Sequence, residues 1–598
     1  MSAKILWPLG DLFRTSPLRG ADALTLSLQL LAWARLSARG TIAPPLQLGR
    51  ALARGSNGLL EGLKALEKAP SPIAQAFTGA SIHAGMAGSA LQSASDLCAK
   101  LEADGLLDSF LPEDAAADLG FDAQHFWPTI IEPTLADLMV RLADPGIHDS
   151  VYCAWDATAQ IAGRLVRAGC NVWTENPVAT PFPALAALFA DRSIEIGFSD
   201  PIRSPSFVSA GRLRKFDRAI ALPPMGVKIE ASIVSKDLFA RFSIPKATWG
   251  VLTVQHLLAQ AEQTAVIAVP NSLLLGVGAD RLLREQLVRS GQLSAVVSLP
   301  PGLLSGTNLQ IALLVLAPKG GIERVRFVNA SGDEFRESPN RSRTTLTKLD
   351  RIVENVFGDE DGPIARTVER VDIEANDLQL LVGRYVLDPT QQKLKSRLVN
   401  VPRRALGDLV ETVRPLAASP QQTDSAIAIR EVGTSDIPAA GYMRPGRELY
   451  AEPEVITKGA NQFLRPQDIV LTIRGSTGKV GIVPDDVPDP GADGWIAGSS
   501  ATVLRMGPNS RIDPRALIVL LRSPMGQDLL KTITSGNTIP MITLRDLLRL
   551  EIPVPSLESA QRAAALLDKE QALQDQIEAL QRKQTELAGS DWTLGMLD

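Results

Sequence analysis

The sequence predicts an α/β protein in three parts: an N-terminal helical bundle, a doubly wound sheet, and a C-terminal α+β domain followed by one long helix. Three observations carry this. Residues 1–130 place alanine and leucine at helical spacing, with few β-branched runs. Residues 131–400 alternate short apolar strands with helical segments. Residues 401–555 are strand-rich and dense in glycine and proline, and within 556–598 the run Leu557–Leu587 has neither.

In the first part, "GADALTLSLQLLAWARLSARG" sets Leu24, Leu28, Leu31 and Leu36 near helical spacing and stops at Gly40; "GSALQSASDLCAKLEADGLL" repeats the pattern. In the second, "TLADLMVRLA" reads as an amphipathic helix. The runs "SVYCAW", "NVWTEN", "SIEIGF", "FDRAIAL", "TAVIAVP", "LSAVVSLP" and "IALLVLAP" read as buried strands, with helices such as "DRLLREQLVRSG" between them. Ligands of such sheets bind beyond the carboxyl ends of the strands, so the chemistry is expected in the turns that follow them. In the last part, Leu566, Leu573, Leu580 and Leu587 recur every seven residues, with Ile577 four after Leu573. That is the narrow seam of a short coiled coil.

A chain of 598 residues is too long for one core. With 45% hydrophobic and 21% charged residues it is ordinary globular protein. No run has the length of a membrane span, and the N-terminus lacks the apolar core of a signal peptide. Cys98, Cys153 and Cys170 fit a reducing compartment rather than a disulfide framework, and the four histidines have no paired spacing for zinc. A cytoplasmic protein without membrane or metal is expected. The net charge of −5 means that any contact with nucleic acid must come from a local face.

Two glycine motifs fail on inspection. "RGSTGKVG" has Ile473 where a phosphate loop needs its first glycine, and no Ser or Thr follows Lys479; "GVGADR" lacks the third glycine of a dinucleotide turn. Both are expected to be loops.

The stretch "FDRAIALPPMGVK", Phe216–Lys228, closes an apolar run with two prolines. An α/β sheet whose fourth strand ends in Asp/Asn-Pro-Pro-aromatic resembles the amino-group DNA methyltransferases, above all the modification subunits of type I restriction systems. The resemblance continues through "TAVIAVPNSLLLGVGADRLLREQLVRSGQLSAVVSLPPGLLSGTNLQIALLVLAP", "VRFVNASGDEF" and "ANDLQLLVGRYV". In the C-terminal third, "LRPQDIVLTIRGSTGKVGIV" and "GNTIPMITLRDLLRLEIPVPSLESAQ" resemble the DNA-specificity subunits of the same systems, which also carry a long spacer helix. The resemblance thus implies a methyltransferase-like domain over 131–400, a target-recognition domain over 401–555 and a spacer helix over 556–598.

It also implies where chemistry would sit, and there the chain departs from the family. Leu222, followed by Pro223, Pro224 and Met225, stands where the family's asparagine accepts the target amino group and its aromatic residue stacks on the flipped base. A leucine accepts no hydrogen bond. In "VYCAWDATAQIA", Cys153 replaces the acid of the donor loop, Trp155 adds bulk, Ala157 and Ala159 replace glycines, and Asp156 is displaced along the turn. Glu175 stands where the family's acid holds the donor's ribose hydroxyls, and Asp200 follows Phe198, where an aspartate facing the donor's adenine is expected. The cofactor-site candidates are therefore Glu175, Asp156 and Asp200. The reading is a methyltransferase fold without methyl transfer, needing no cofactor; S-adenosylmethionine belongs to the alternative, an active divergent adenine-N6 methyltransferase.

The leading function is sequence-specific recognition of double-stranded DNA within a restriction-modification or anti-phage defence system whose other subunits carry the catalysis. Candidate DNA contacts are Arg444, Arg474, Lys479, Arg505 and Thr538, arginine being the commonest reader of guanine. A second alternative is a scaffold. With one recognition domain, a bipartite site needs two copies, and the leucine seam could pair them or pack on the chain's own body.

Overall fold

Helix α1 (Gly20–Ala38) is buried around its whole circumference from Leu24 to Leu36, the mark of a central core helix rather than a surface one. Many of its buried polar groups are paired internally, while Gln29 Oε1 and Arg35 Nε have no partner among the described residues. Gln29 Nε2 donates to the carbonyls of Ala76 and Thr78, Trp33 Nε1 to that of Leu46 at 2.7 Å, and Arg35 to that of Leu107 at 2.7 Å. Thr25 and Ser27 bond back to the carbonyls one turn earlier. Helix α2 (Gly55–Leu66) crosses so closely that a Cβ at Gly62 would lie 2.6 Å from the Trp33 ring. Helix α3 (Ala90–Ala103) packs on α1 from another side.

The computed structural model describes residues 2–18, 20–118, 130–230, 232–340, 343–387, 394, 397–398, 401–423, 425–507, 510, 512–535 and 540–590; Thr538 and His125 fall outside them. They form two compact units, Met1–Val386 and Leu387–Asp598.

In the first unit, α4 (Pro133–Ala143) leads into a nine-stranded sheet. Its strands are β1 (Ser150–Ala154), β2 (Asn171–Glu175), β3 (Ile194–Gly197), β4 (Phe216–Ala221), β5 (Ala261–Pro270), β6 (Leu293–Ser298), β7 (Ile311–Leu316), β8 (Arg324–Asn329) and β9 (Ala365–Glu369). The spatial order is β9-β8-β6-β7-β5-β4-β1-β2-β3. Strands β3, β2, β1, β4 and β5 run parallel to one another, and β7 is inserted antiparallel between β5 and β6. All seven strands expected from the sequence are present. The crossovers include α5 (Ala162–Arg167), α6 (Phe182–Ala190), α7 (Trp249–Gln260) and α8 (Ala279–Arg289).

Both faces of the sheet are covered, and the strands alternate between the two cores as their pleat requires. Val151 and Cys153 of β1 join the core shared with the N-terminal helices, whereas Tyr152 and Ala154 join the core beneath α7 and α8. Charge pairs tie the helical part to α5: Arg164 to Asp114 at 2.7 Å, and Arg167 to the buried Glu113 at 2.8 Å.

The second unit holds a four-stranded antiparallel sheet and a three-stranded sheet. Its strands are β10 (Val410–Val413), β11 (Ile427–Val432), β12 (Glu448–Ala451), β13 (Ile469–Thr472), β14 (Val480–Ile482), β15 (Trp495–Ala497) and β16 (Ala501–Met506), in the orders β10-β16-β13-β14 and β12-β11-β15. The unit closes with α9 (Pro514–Arg522), α10 (Pro524–Ile533) and the single long α11 (Leu557–Ser590). Ala560, Ala564 and Leu567 of α11 are buried, while Leu566, Leu573, Ile577, Leu580 and Leu587 are exposed. The seam therefore lies beside the face that touches the unit's own body, not on it.

Gly62→Ala should destabilise the protein by about 1–2 kcal/mol, the overpacking cost against Trp33 exceeding the helix-propensity gain of alanine. Denaturant unfolding measures this, and a stabilised variant would mean the Trp33 ring can shift freely.

Candidate functional site

The order of the sheet reverses between β1 and β4, and a doubly wound sheet opens its binding crevice at such a switch point. The two turns singled out in the sequence leave neighbouring strands there. After β4, Leu222 is 4% exposed and sits in the core, its amide donating to the carbonyl of Ala154. Pro223 is buried, Pro224 and Met225 are half-buried, and Gly226 turns the chain at φ +73°. The residue that follows β4 thus offers hydrocarbon, turned into the core, and no side-chain acceptor.

After β1, Trp155 and Ala159 adopt φ values of +62° and +56°. Such backbone suits glycine and strains any residue with a Cβ. The Trp155 ring is buried and stands edge-on to Trp249 and to His256, each at 6.0 Å. Asp156 turns inward: one carboxylate oxygen accepts the amides of Ile161 and Ala162 at 3.0 and 2.7 Å, fixing the start of α5. Burial pushes its pKa up to about 6, against the pull of those amides.

Glu175, last residue of β2, is completely buried. Its carboxylate accepts the Tyr152 hydroxyl at 2.6 Å, the Ser199 hydroxyl at 2.6 Å and the Ser206 amide. Two hydroxyls of the chain itself thus meet the acid expected to hold a ribose diol. A bound ribose would have to displace them. Tyr152 spends its one proton on Glu175, so the 3.0 Å contact with His256 requires an Nε2–H donor on the imidazole. Its Nδ1 is then an acceptor, which Arg241 meets at 2.9 Å. Arg241 is held by Asp237 at 2.8 Å and by the carbonyls of Pro201 and Ile202. Burial, reinforced by Arg241, holds the His256 pKa well below the ordinary histidine range, in keeping with that neutral tautomer.

Asp200 lies apart from this chain of contacts. It caps its own turn through the amides of Ile202 and Arg203 and pairs with the Arg203 guanidinium at 2.6 Å. The Phe198 ring is exposed. Among the described residues no cluster of His, Cys, Asp and Glu could hold a metal ion.

In the second unit the candidate cations separate into two kinds. Arg505 is an anchor: it bonds Asp468 at 2.7 and 3.0 Å and the carbonyls of Asn461 and Phe463. Arg444 is half exposed and pairs with Glu578 of α11 at 2.7 Å. Arg474 and Lys479 project from one exposed turn between β13 and β14, shaped by Gly475 and Gly478 at positive φ. Lys479 touches only the Thr434 carbonyl, at 3.3 Å, and Arg474 has no side-chain partner among the described residues. "RGSTGKVG" is this turn. "GVGADR" is a short loop running into α8.

Residues 189–393 match the N-6 DNA methylase family, and residues 421–587 match the type I restriction modification DNA specificity domain. The chain joins a methylase domain to a specificity domain. A type I restriction enzyme MpnII methylase subunit from Mycoplasma pneumoniae is 28% identical over 153 residues, 25% of this chain and 28% of that protein. The match therefore spans little more than a quarter of that relative's length. A type I restriction-modification methyltransferase subunit from Streptococcus thermophilus superposes with a TM-score of 0.55 at 16% identity, over 64% of this chain and 99% of its own. A modification subunit of a putative type I restriction enzyme from Vibrio vulnificus gives 0.44 at 16% identity, over 62% and 92%.

The methylase match starts at residue 189, after the β1 turn and after Glu175. It includes the β4 turn. The half of the crevice that carries Trp155, Asp156 and Glu175 is thus the half the family match leaves out.

His256 gives the methylase domain a measurable titration. Its imidazole stays neutral in the fold but protonates in the unfolded chain below about pH 6.5. Stability is therefore full above that pH and falls beneath it by about 1.4 kcal/mol per unit. Asp156 works in the opposite sense, its contribution being lost as pH rises from about 3.8 to about 6. The difference in unfolding free energy between the natural protein and His256→Gln isolates the first effect. It should slope between about pH 5 and 6.5 and be flat above about pH 7.

Proposed function

We propose that the chain is a sequence-specific double-stranded DNA-recognition component of a restriction-modification or anti-phage defence system, built on an adenine-N6 methyltransferase fold that does not transfer methyl groups. The observation that carries this is the pair of matches: a methylase domain and a specificity domain in one chain. Inactivity is supported from both sides of the crevice. Leu222 brings no acceptor for a target amino group, and the residues of the β1 turn do not fit S-adenosylmethionine, because Trp155 fills the turn and Glu175 is engaged by Tyr152, Ser199 and Ser206. On this reading catalysis belongs to other subunits, and residues 131–400, 401–555 and 556–598 serve as body, reader and spacer.

Arg474 and Lys479 are the cations placed to meet DNA, with Arg444 at the edge of α11 and Arg505 positioning the strands behind them. Thr538 is retained as a contact from its sequence alone. An active, divergent methyltransferase is the second reading, favoured by one observation: the Leu222–Met225 turn sits at the switch point where an active enzyme would hold its target base.

The test pairs two measurements on the full chain. Selection from random duplexes should yield a defined sequence whose binding weakens steeply with salt, and Arg474→Ala with Lys479→Ala should cost at least about tenfold in affinity. Calorimetry with S-adenosylmethionine should show no binding to the natural protein; micromolar binding would overturn the inactive reading and favour the second.

The exposed seam of α11 supports a homodimer. An antiparallel pair centred beside Ile577 sets Leu566 against Leu587, Leu573 against Leu580, and Glu570 against Lys583, and two copies so related would suit a palindromic target. Sedimentation should find a dimer at micromolar concentration, and Leu573→Asp should return a folded monomer. A natural protein that sediments as a monomer would sink this part.

A further inference from the structure

The turn between β13 and β14 exposes Arg474, Ser476 and Lys479, yet its backbone is held like a core segment. Its centre is Thr472, the last residue of β13, which is completely buried. The Thr472 hydroxyl donates to the carbonyl of Ser476 at 2.5 Å and accepts the amide of Lys479 at 3.0 Å. Its backbone closes the same loop, the amide donating to the Lys479 carbonyl and the carbonyl accepting the Gly478 amide, each at 3.0 Å. Further bonds come from around the turn. The amides of Ile473 and Arg474 donate to the Ser500 carbonyl and that of Gly475 to the Pro540 carbonyl, while Gln527 Nε2 of α10 donates to the Gly478 carbonyl at 2.9 Å.

These bonds sort the polar groups of the turn. The carbonyls of Ile473, Gly475, Ser476, Gly478 and Lys479 all accept hydrogen bonds from within the unit. What remains exposed is rich in donors: the Arg474 guanidinium, the Lys479 ammonium with its one contact to Thr434, and the amide and hydroxyl of Ser476. Adenine and cytosine present amino donors in the major groove, so a reader of either needs an acceptor. A guanine edge would take one arginine fork and leave the lysine and the serine unused. A phosphate offers acceptors alone, and arginine, lysine, serine and backbone N–H groups all serve it.

We propose that the Arg474–Lys479 turn grips the DNA backbone rather than the bases, and that Thr472 is its positioning residue, an inference that rests on the DNA-recognition reading. The turn fixes the unit on any duplex, and the choice of sequence falls to other surfaces. Thr472 acts from beneath, tying the two stems of the turn together so that both cations are presented from a fixed backbone.

The test follows binding of the full-length protein to its selected duplex and to a scrambled duplex of equal length, over about 50–200 mM salt. Arg474→Ala/Lys479→Ala, two exposed changes, should weaken both complexes by the same factor of at least about ten. The ratio between the duplexes should stay unchanged, and the slope of log K against log salt should become shallower by about two. Thr472→Val, which keeps the shape and removes the hydroxyl, should act in the same direction, and Thr472→Ser should bind as the natural protein does. Should the valine variant fail to fold, Gln527→Met, which frees the Gly478 carbonyl from a half-buried position, takes its place with the same expectation. A double variant that selects a different sequence, or weakens the selected duplex alone, would make the turn a base reader and overturn the inference while recognition stands. A Thr472→Val protein that melts lower but keeps the natural affinity and slope would reduce Thr472 to a structural residue and overturn its positioning role. A natural protein that binds neither duplex overturns the recognition reading itself, and this inference with it.

Discussion

Everything at the open end of the sheet is organised around one buried charge. A carboxylate at the end of β2 with no exposed surface is tolerable only if its oxygens are fully hydrogen-bonded. Glu175 obtains this from β1 through Tyr152 and from the segment after β3 through Ser199 and Ser206. The need then propagates. Tyr152 commits its proton, so His256 must supply one to the phenol; His256 in turn needs a donor at Nδ1, and Arg241 needs Asp237. Strand β1, strand β2, helix α7 and the loop at Asp237 are locked into one arrangement by a sequence of obligatory pairings. A ligand that took Glu175 for itself would have to unpick it.

The fold was largely legible because parallel strands buried on both faces read as unbroken apolar runs, and "SVYCAW" through "IALLVLAP" could hardly be anything else. The long α11 was legible for the opposite reason, a seven-residue repeat with no glycine or proline. Central helix α1 was only half read: Leu24, Leu28, Leu31 and Leu36 suggest one apolar face, yet the whole circumference is buried, with the Thr25 and Ser27 hydroxyls bonded back within the helix and the Gln29 amide nitrogen bonded across the bundle.

The site was legible where it depends on local sequence and opaque where it depends on partners. Leu222 and Trp155 announce themselves beside motifs with a fixed spacing. The contacts of Glu175 do not: Tyr152 lies 23 residues before it, Ser206 lies 31 after it, and the Tyr152–His256 contact spans 104. No periodicity marks such pairs. The same holds for Arg505. In sequence it is one more arginine in a strand, and only the buried Asp468, 37 residues earlier, turns it from a free cation into an anchor.

The β1 turn shows how a crevice can be filled without being rebuilt. Trp155 and Ala159 keep positive φ, a path that glycine follows without strain and that costs other residues roughly 1–2 kcal/mol each. The chain could avoid that cost only by leaving the path, but Asp156 fixes the start of α5 from inside the turn and Thr180 holds the Ala157 carbonyl. With the backbone pinned, the side chains alone are free to change. The buried Trp155 ring, packed on Trp249, recovers through apolar contact what the backbone loses. The contour of the turn is thus set by helix capping, and its occupancy by a tryptophan. On the proposed reading, that is how recognition could be kept on an intact methylase scaffold while the donor's place was closed.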